Sequence, residues 1–194
     1  MICRNCNTWV LDESAFCPYC GYQLQSGPDD PPKRQGRVSL PPDISSAIVF
    51  RADERPIRAW WTHYTIRIQT KGSEEEEKHR SRGYLIVTNE RLIYLENRSG
   101  LFSSGYYMKE SIDHEQIRGS MIVIWLLANG LSLSIESQGI SRSILFWNTS
   151  DLDFATFAEI GKTSPEYLQE SLNFIISRSL AEKKEEKRKE RRED

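Results

Sequence analysis

From Ile44 to Asn148 the apolar positions alternate with polar ones over short runs. That two-residue period places successive side chains on opposite faces of a sheet. IRAWWTHYTIRI, 57–68, is rich in aromatic and β-branched residues and predicts one long strand, possibly bent. YLIVTNERLIYLEN, 84–97, predicts strand, tight turn at Thr88-Asn89-Glu90 and strand. GYYMKESIDHEQI, 105–117, predicts a strand and a loop. SMIVIWLL followed by LSLSIES predicts a hairpin closed at Ala128-Asn129-Gly130, because Asn-Gly suits the favoured two-residue turn. SILFWN, 143–148, completes the strands.

The period then changes. Leu152, Phe154, Ala155, Phe157, Ala158 and Ile160 predict a helix over 151–161, with Ser150 or Asp151 as N-cap and Gly161 as its stop. A second helix is predicted from Ser164, with Pro165 in its first turn and an apolar stripe of Leu168, Leu172, Ile175, Ile176 and Leu180. Past Leu180 the chain carries seven Lys/Arg against six Asp/Glu and no stripe. The fold class is therefore mainly β: a small barrel or orthogonal sandwich plugged by a helix, with a C-terminal helical extension.

Composition divides the chain further. Its 194 residues suffice for one domain with appendages, and the 38% hydrophobic fraction leaves room for linker. SGPDDPPKRQGRVSLPPD, 26–43, is Pro-, Gly- and charge-rich and predicts a semi-extended tether. The expected organisation is 1–25, a cysteine module; 26–43, linker; 44–161, β-domain with capping helix; 162–194, helix and charged tail. The net charge of −2 provides no global basic field for nucleic acid or membrane. The longest apolar run, 121–128, is too short to span a bilayer, and the N-terminus enters the cysteine motif directly, so a reducing, cytoplasmic setting is expected.

All four cysteines lie in CRNCNTWVLDESAFCPYCG, as two CxxC pairs ten residues apart. Two such knuckles present four thiolates to one tetrahedral ion, so Cys3, Cys6, Cys17 and Cys20 are expected to hold one structural Zn2+. Four sulfur ligands leave no position for a catalytic water. So short a module has too little apolar material for a core, and metal binding supplies the folding free energy. The stretch resembles the zinc-ribbon family found at the N-termini of many bacterial and archaeal proteins, with Asn7 where that family usually has Gly.

GYLIVTNERLIYL, 83–95, resembles the GRAM and bacterial PH-like families at Thr88, Asn89, Arg91, Leu92 and Tyr94. SIDHEQIRGS, 111–120, is similar to the segment preceding their central hairpin. The resemblance spans about 44–161. It implies two nearly orthogonal antiparallel sheets capped by the helix at 151–161, and a fold that binds lipid headgroups, peptides or proteins. In lipid-binding members, cations of the first strand-to-strand loop hold phosphates. Lys71, Lys78, Arg80 and Arg82 would serve here, but Glu74 to Glu77 in the same stretch repel an anion.

Other chemistry is sparse. His63, His79 and His114 sit in no hydrolase or metal motif, and Asp113-His114-Glu115 offers at most a weak site. IGKTS, 160–164, echoes a phosphate loop but has Thr156 where the first glycine is required. Trp60 and Trp61 cannot both face one core, and Leu101 and Phe102 mark an apolar loop. The expected function is a non-enzymatic adaptor that recognises a protein partner through the β-domain, with the ribbon as a second contact. Peripheral binding to anionic lipid is the first alternative, and nucleic-acid binding by the ribbon (Arg4, Trp9, Tyr19, Tyr22 against Asp12, Glu13) the second. The apolar stripe of the helix 164–180 would either pack on the barrel or pair with another copy as a homo-oligomer.

Overall fold

The computed structural model describes residues 40–68, 77–99, 104–125, 128–137, 139–152 and 158–193. The chain runs α1 (Pro42–Ser45), β1 (Pro56–Ile68), β2 (Glu77–Thr88), β3 (Arg91–Ser99), β4 (Ser104–Asp113), a 3-10 turn (His114–Gln116), β5 (Ile117–Trp125), β6 (Ala128–Ser137), β7 (Ile140–Leu152), β8 (Glu159–Lys162) and α2 (Pro165–Glu193). All pairings are antiparallel, in the order β4-β3-β2-β1-β7-β6-β5, with β8 alongside the end of β7.

This is one continuous open sheet rather than two separate ones closed into a barrel. Its halves share β1, whose 13 residues pair with β2 on one side and β7 on the other. The strand ends β4 and β5 are not paired with each other among the described residues.

Two apolar clusters lie on the two faces. Trp60, Tyr64, Leu85, Leu92, Tyr94, Ile112, Leu131 and Phe146 form the larger, and Leu168, Leu172, Ile175 and Ile176 of α2 seal it. The smaller joins Ala59, Ile86, Ile93, Leu95 and Leu152 to Leu40, Ile44 and Ile48 of the entering chain. Leu40, assigned to the linker by composition, is thus a buried contact. The expected stripe on the last helix is correct, but it is spent inside the chain's own core instead of being left for another copy. Ser164 caps this helix, its Oγ accepting from the Tyr167 N–H at 3.2 Å. Beyond Leu180 it continues as an exposed, mixed-charge rod with Arg178–Glu182 and Glu185–Lys189 pairs one turn apart.

Three expectations are corrected. The helix over 151–161 is absent at its described ends: Asp151 and Leu152 finish β7, and Glu159–Lys162 is strand β8, paired through Ser150↔Lys162 and Leu152↔Glu159. Residues 153–157 lie outside the described residues. Backbone pairing at this end of β7 outweighs the local helical spacing, and α2 becomes the helix that covers the core. The turn at 128–130 is also displaced, because Asn129 pairs with Ile124 and Gly130 with Val123 inside the ladder. Gly130 answers a packing demand: a Cβ there would stand 2.8 Å from the Phe146 carbonyl oxygen. Finally, the polar stretch 71–83 is strand from Glu77 onward, because β1 is long enough to pair with it down to Ile68↔Glu77.

Candidate interaction surfaces

The TNER turn is a clasp. Asn89 donates its backbone N–H to the Arg55 carbonyl (3.2 Å) and its Nδ2 to the Asp53 carbonyl (3.3 Å), and accepts the Arg55 N–H on Oδ1 (2.7 Å). Thr88 Oγ1 donates to Glu54 Oε1 (2.8 Å) and accepts the N–H groups of Glu90 and Arg91. Arg91 grips Glu54 with two bonds, Nε to Oε1 at 2.8 Å and Nη2 to Oε2 at 2.9 Å, and also reaches Ser111 Oγ and the Val49 carbonyl, each at 2.7 Å. Side-chain exposure is 0% for Glu54 and 7% for Arg91. Burial alone would raise the Glu54 pKa. The hydrogen bonds from Arg91, the Arg51 N–H and Thr88, with the Arg91 charge, overcome that and hold it below its ordinary value. The Ser179 hydroxyl donates to the Asn89 carbonyl and ties α2 to the same turn. Leu92 and Tyr94 enter the core. The positions that carried the family resemblance therefore do structural work and offer no ligand surface.

His114 adjoins this clasp and is fully buried. Burial, followed by the Lys183 charge, pushes its pKa down to about 4, against the opposing charges of Asp113 and Glu54. The imidazole is neutral in the folded protein, whereas the unfolded chain takes up a proton near the ordinary value of 6.5. Its contribution is therefore complete above about pH 6.5, declines as pH falls, and is lost through about pH 4, a total of about 3 kcal/mol. Urea unfolding between pH 7 and 4 should show this slope in the parent and lack it in His114→Gln. Equal slopes in the two would mean that His114 is not the group titrating.

His63 lies on β1 with its ring 4.4 Å from Trp147, its pKa lowered by burial and then by Arg82. His79, expected in a loop, lies in β2 opposite Ile66. Trp60 faces the main core, and Trp61 packs edge-on against Tyr84 on the other face. Trp147 donates Nε1 to Thr65 Oγ1 at 3.3 Å. Of the proposed phosphate ligands, Arg80 and Arg82 are exposed on β2 and Lys78 lies opposite Arg67 in the backbone register, while Lys71 and Glu74–Glu76 lie outside the described residues. So do Leu101, Phe102 and the whole cysteine segment, including Cys3, Cys6, Cys17 and Cys20. Among the described residues no cluster of His, Cys, Asp and Glu is placed to hold a metal ion, and no helix is long and apolar enough to cross a membrane.

The sheet edge at β5 carries the surface that sequence reading missed. Its first half is guarded. Arg118 pairs with Glu136 at 2.8 Å, and Gln169 of α2 donates to the Ser120 carbonyl at 2.9 Å, filling an edge acceptor. Asn173 accepts from Ser120 Oγ at 3.1 Å. Beyond Ser120 three apolar side chains of this strand are exposed. Met121 is 58% exposed, Ile122 37% and Ile124 81%. An open edge offers unpaired backbone donors and acceptors, and natural sheets ordinarily protect such edges with charge or a bulge. The opposite edge is guarded in this way: Lys109 and Arg98 both pair with Glu96 there, and Arg98 covers the Tyr107 ring. MIVIW belongs to the longest apolar run in the chain, which reads as core from sequence. Nothing in a period-two pattern reveals that the strand is last in the sheet.

Residues 2–24 match the family model of a zinc-ribbon domain. The matched segment contains both CxxC pairs, and a set of four thiols suits Zn2+ in a closed tetrahedral shell. The match supports a metal-binding module at this end of the chain and covers nothing of the sheet. No curated protein matches the chain.

Proposed function

We propose that the chain is a non-enzymatic adaptor. A structural zinc ribbon, held by Cys3, Cys6, Cys17 and Cys20, is tethered to a PH-like domain that binds an extended segment of a protein partner at the free half of β5. The observation that carries this reading is the exposure of Met121, Ile122 and Ile124 on a strand that ends the sheet among the described residues. An extended peptide can add there as another antiparallel strand, drawing affinity from main-chain hydrogen bonds and specificity from alternate side chains. The strand order of the sheet, with a C-terminal helix over its inner face, supports the PH-like assignment suggested by the TNER turn.

The ribbon provides the second contact. Residues 26–39 span at most about 46–50 Å when extended, so both modules can reach one partner. Tethering two weak contacts raises apparent affinity through effective concentration.

Crosslinking capture by the full chain tests the reading, with Ile124→Lys and Cys3→Ser/Cys17→Ser compared side by side. Ile124 is exposed, so its replacement should leave the circular dichroism unchanged while partner recovery falls about tenfold or more. Loss with Ile124→Lys alone would place recognition on the edge. Equal recovery of every partner by both variants would remove the adaptor reading.

A further inference from the structure

A cavity of about 320 Å3 lies between β6, β7, β8 and the first turn of α2. Leu131, Phe146 and Leu168 form its apolar floor, and Asn129, Asn148, Lys162 and Thr163 line it with polar groups. Thr163 is only 9% exposed, and its Oγ1 is buried with no hydrogen-bond partner among the described residues. Leaving a buried hydroxyl unpaired is costly, so such a group inside a cavity points to a missing ligand. The residue is held in place by its own N–H, which donates to the Thr149 carbonyl at 2.8 Å.

Lys162 is the charged residue among the described residues lining the cavity, while Glu166 stands in the first turn of α2. Lys162 precedes Thr163, and Ser164 then caps a 29-residue helix whose N-terminal end carries a partial positive charge. Among the described residues lining the cavity, none is acidic. The sequence GKTS here runs from a strand into a helix, because Gly161 and Lys162 end β8 and Pro165 opens α2. The expected helix over 151–161 would instead have put it after a helix. Thr156 still departs from the nucleotide-binding pattern, so the relevant feature is the local strand-to-helix junction and not a complete phosphate loop.

We propose that this cavity binds a small organic anion, with a phosphate or carboxylate head between Lys162, the Thr163 hydroxyl and the helix N-terminus. A short apolar body would lie on Leu131, Phe146 and Leu168. The site is independent of the β5 edge and of the adaptor reading.

The test uses the full chain, titrated by calorimetry with hexyl phosphate, hexanoate and, as neutral control, hexanol. At least one anion should bind and raise the melting temperature, and should shift the amide signals of Gly130 and Thr163 in NMR spectra. Binding of hexyl phosphate alone assigns a phosphate head, and binding of hexanoate alone a carboxylate. Thr163→Val removes the unpaired hydroxyl at nearly constant volume. It should weaken binding about tenfold without lowering the ligand-free melting temperature. Lys162→Gln, at an exposed position, should weaken binding comparably and provides a second readout if Thr163→Val perturbs the fold. Failure of both anions to bind, equal binding of hexanol, or unchanged affinity in both variants would overturn the proposal.

Discussion

Arg91→Ala should lower the unfolding free energy of the sheet domain by about 3–5 kcal/mol, the usual cost of removing one partner from a buried ion pair. The cause is what remains behind. The Glu54 carboxylate, at 0% side-chain exposure, loses two of its hydrogen bonds and its countercharge, while Ser111 Oγ and the Val49 carbonyl lose donors. Domains of this size are stable by only about 5–15 kcal/mol, so urea unfolding should show a large fall in midpoint. The pH dependence supplies a second signature. In the parent the Glu54 pKa is depressed, so its contribution is present above the ordinary value of 4.5 and is lost as pH falls through the lower, folded value. In Arg91→Ala only the bonds from the Arg51 N–H and Thr88 oppose burial, so the protonated acid is favoured more than in the parent and the deficit relative to the parent should narrow in acid. Replacing both partners, as Glu54→Gln with Arg91→Met, should restore part of the loss. A fall below about 1 kcal/mol in Arg91→Ala would show that the clasp does not hold this end of the sheet.

The other large effect concerns the metal. The full chain should retain one zinc per molecule through dialysis, and Cys3→Ser/Cys17→Ser should retain none, as measured by atomic emission on the purified proteins. Structural zinc supplies about 10–16 kcal/mol of apparent binding free energy in short zinc-binding peptides, and residues 1–25 have little core to replace it. Chelation should therefore unfold the ribbon and make all four thiols reactive. The urea midpoint of the sheet domain should not change, because the Pro-, Gly- and charge-rich stretch 26–43 tethers the ribbon to it. Full zinc content in the double variant would refute the ligand assignment. A shifted sheet midpoint would mean that ribbon and sheet fold as one unit.

These two predictions rest on features that were legible to different degrees. The cysteine spacing is local chemistry, because a knuckle needs its ligands within a few residues. The TNER turn was visible as a turn and as a resemblance, but its purpose was not. Thr88, Asn89 and Arg91 act on residues 49–55, more than 30 positions away, and α2 returns to the same turn through Ser179. The helix over 151–161 failed for a related reason. Apolar spacing there fits a helix, yet Leu152 joins the smaller core cluster and Glu159–Lys162 adds to β7. Local propensity is a weak prior once a paired strand is available.

The sequence by itself determined where side chains alternate, where a helix buries one stripe, and which four sulfurs can share an ion. Each follows from backbone periodicity or from the reach of neighbouring residues. Only the tertiary structure decided which strand ends the sheet, leaving Met121, Ile122 and Ile124 exposed, and which polar groups meet across the chain. It alone brought β6, β7 and β8 together with α2 to form a cavity lined by Lys162 and Thr163, and left the Thr163 hydroxyl without a partner among the described residues. Strand order and cavities arise from contacts between distant segments, and no local pattern of hydrophobic and polar residues encodes them.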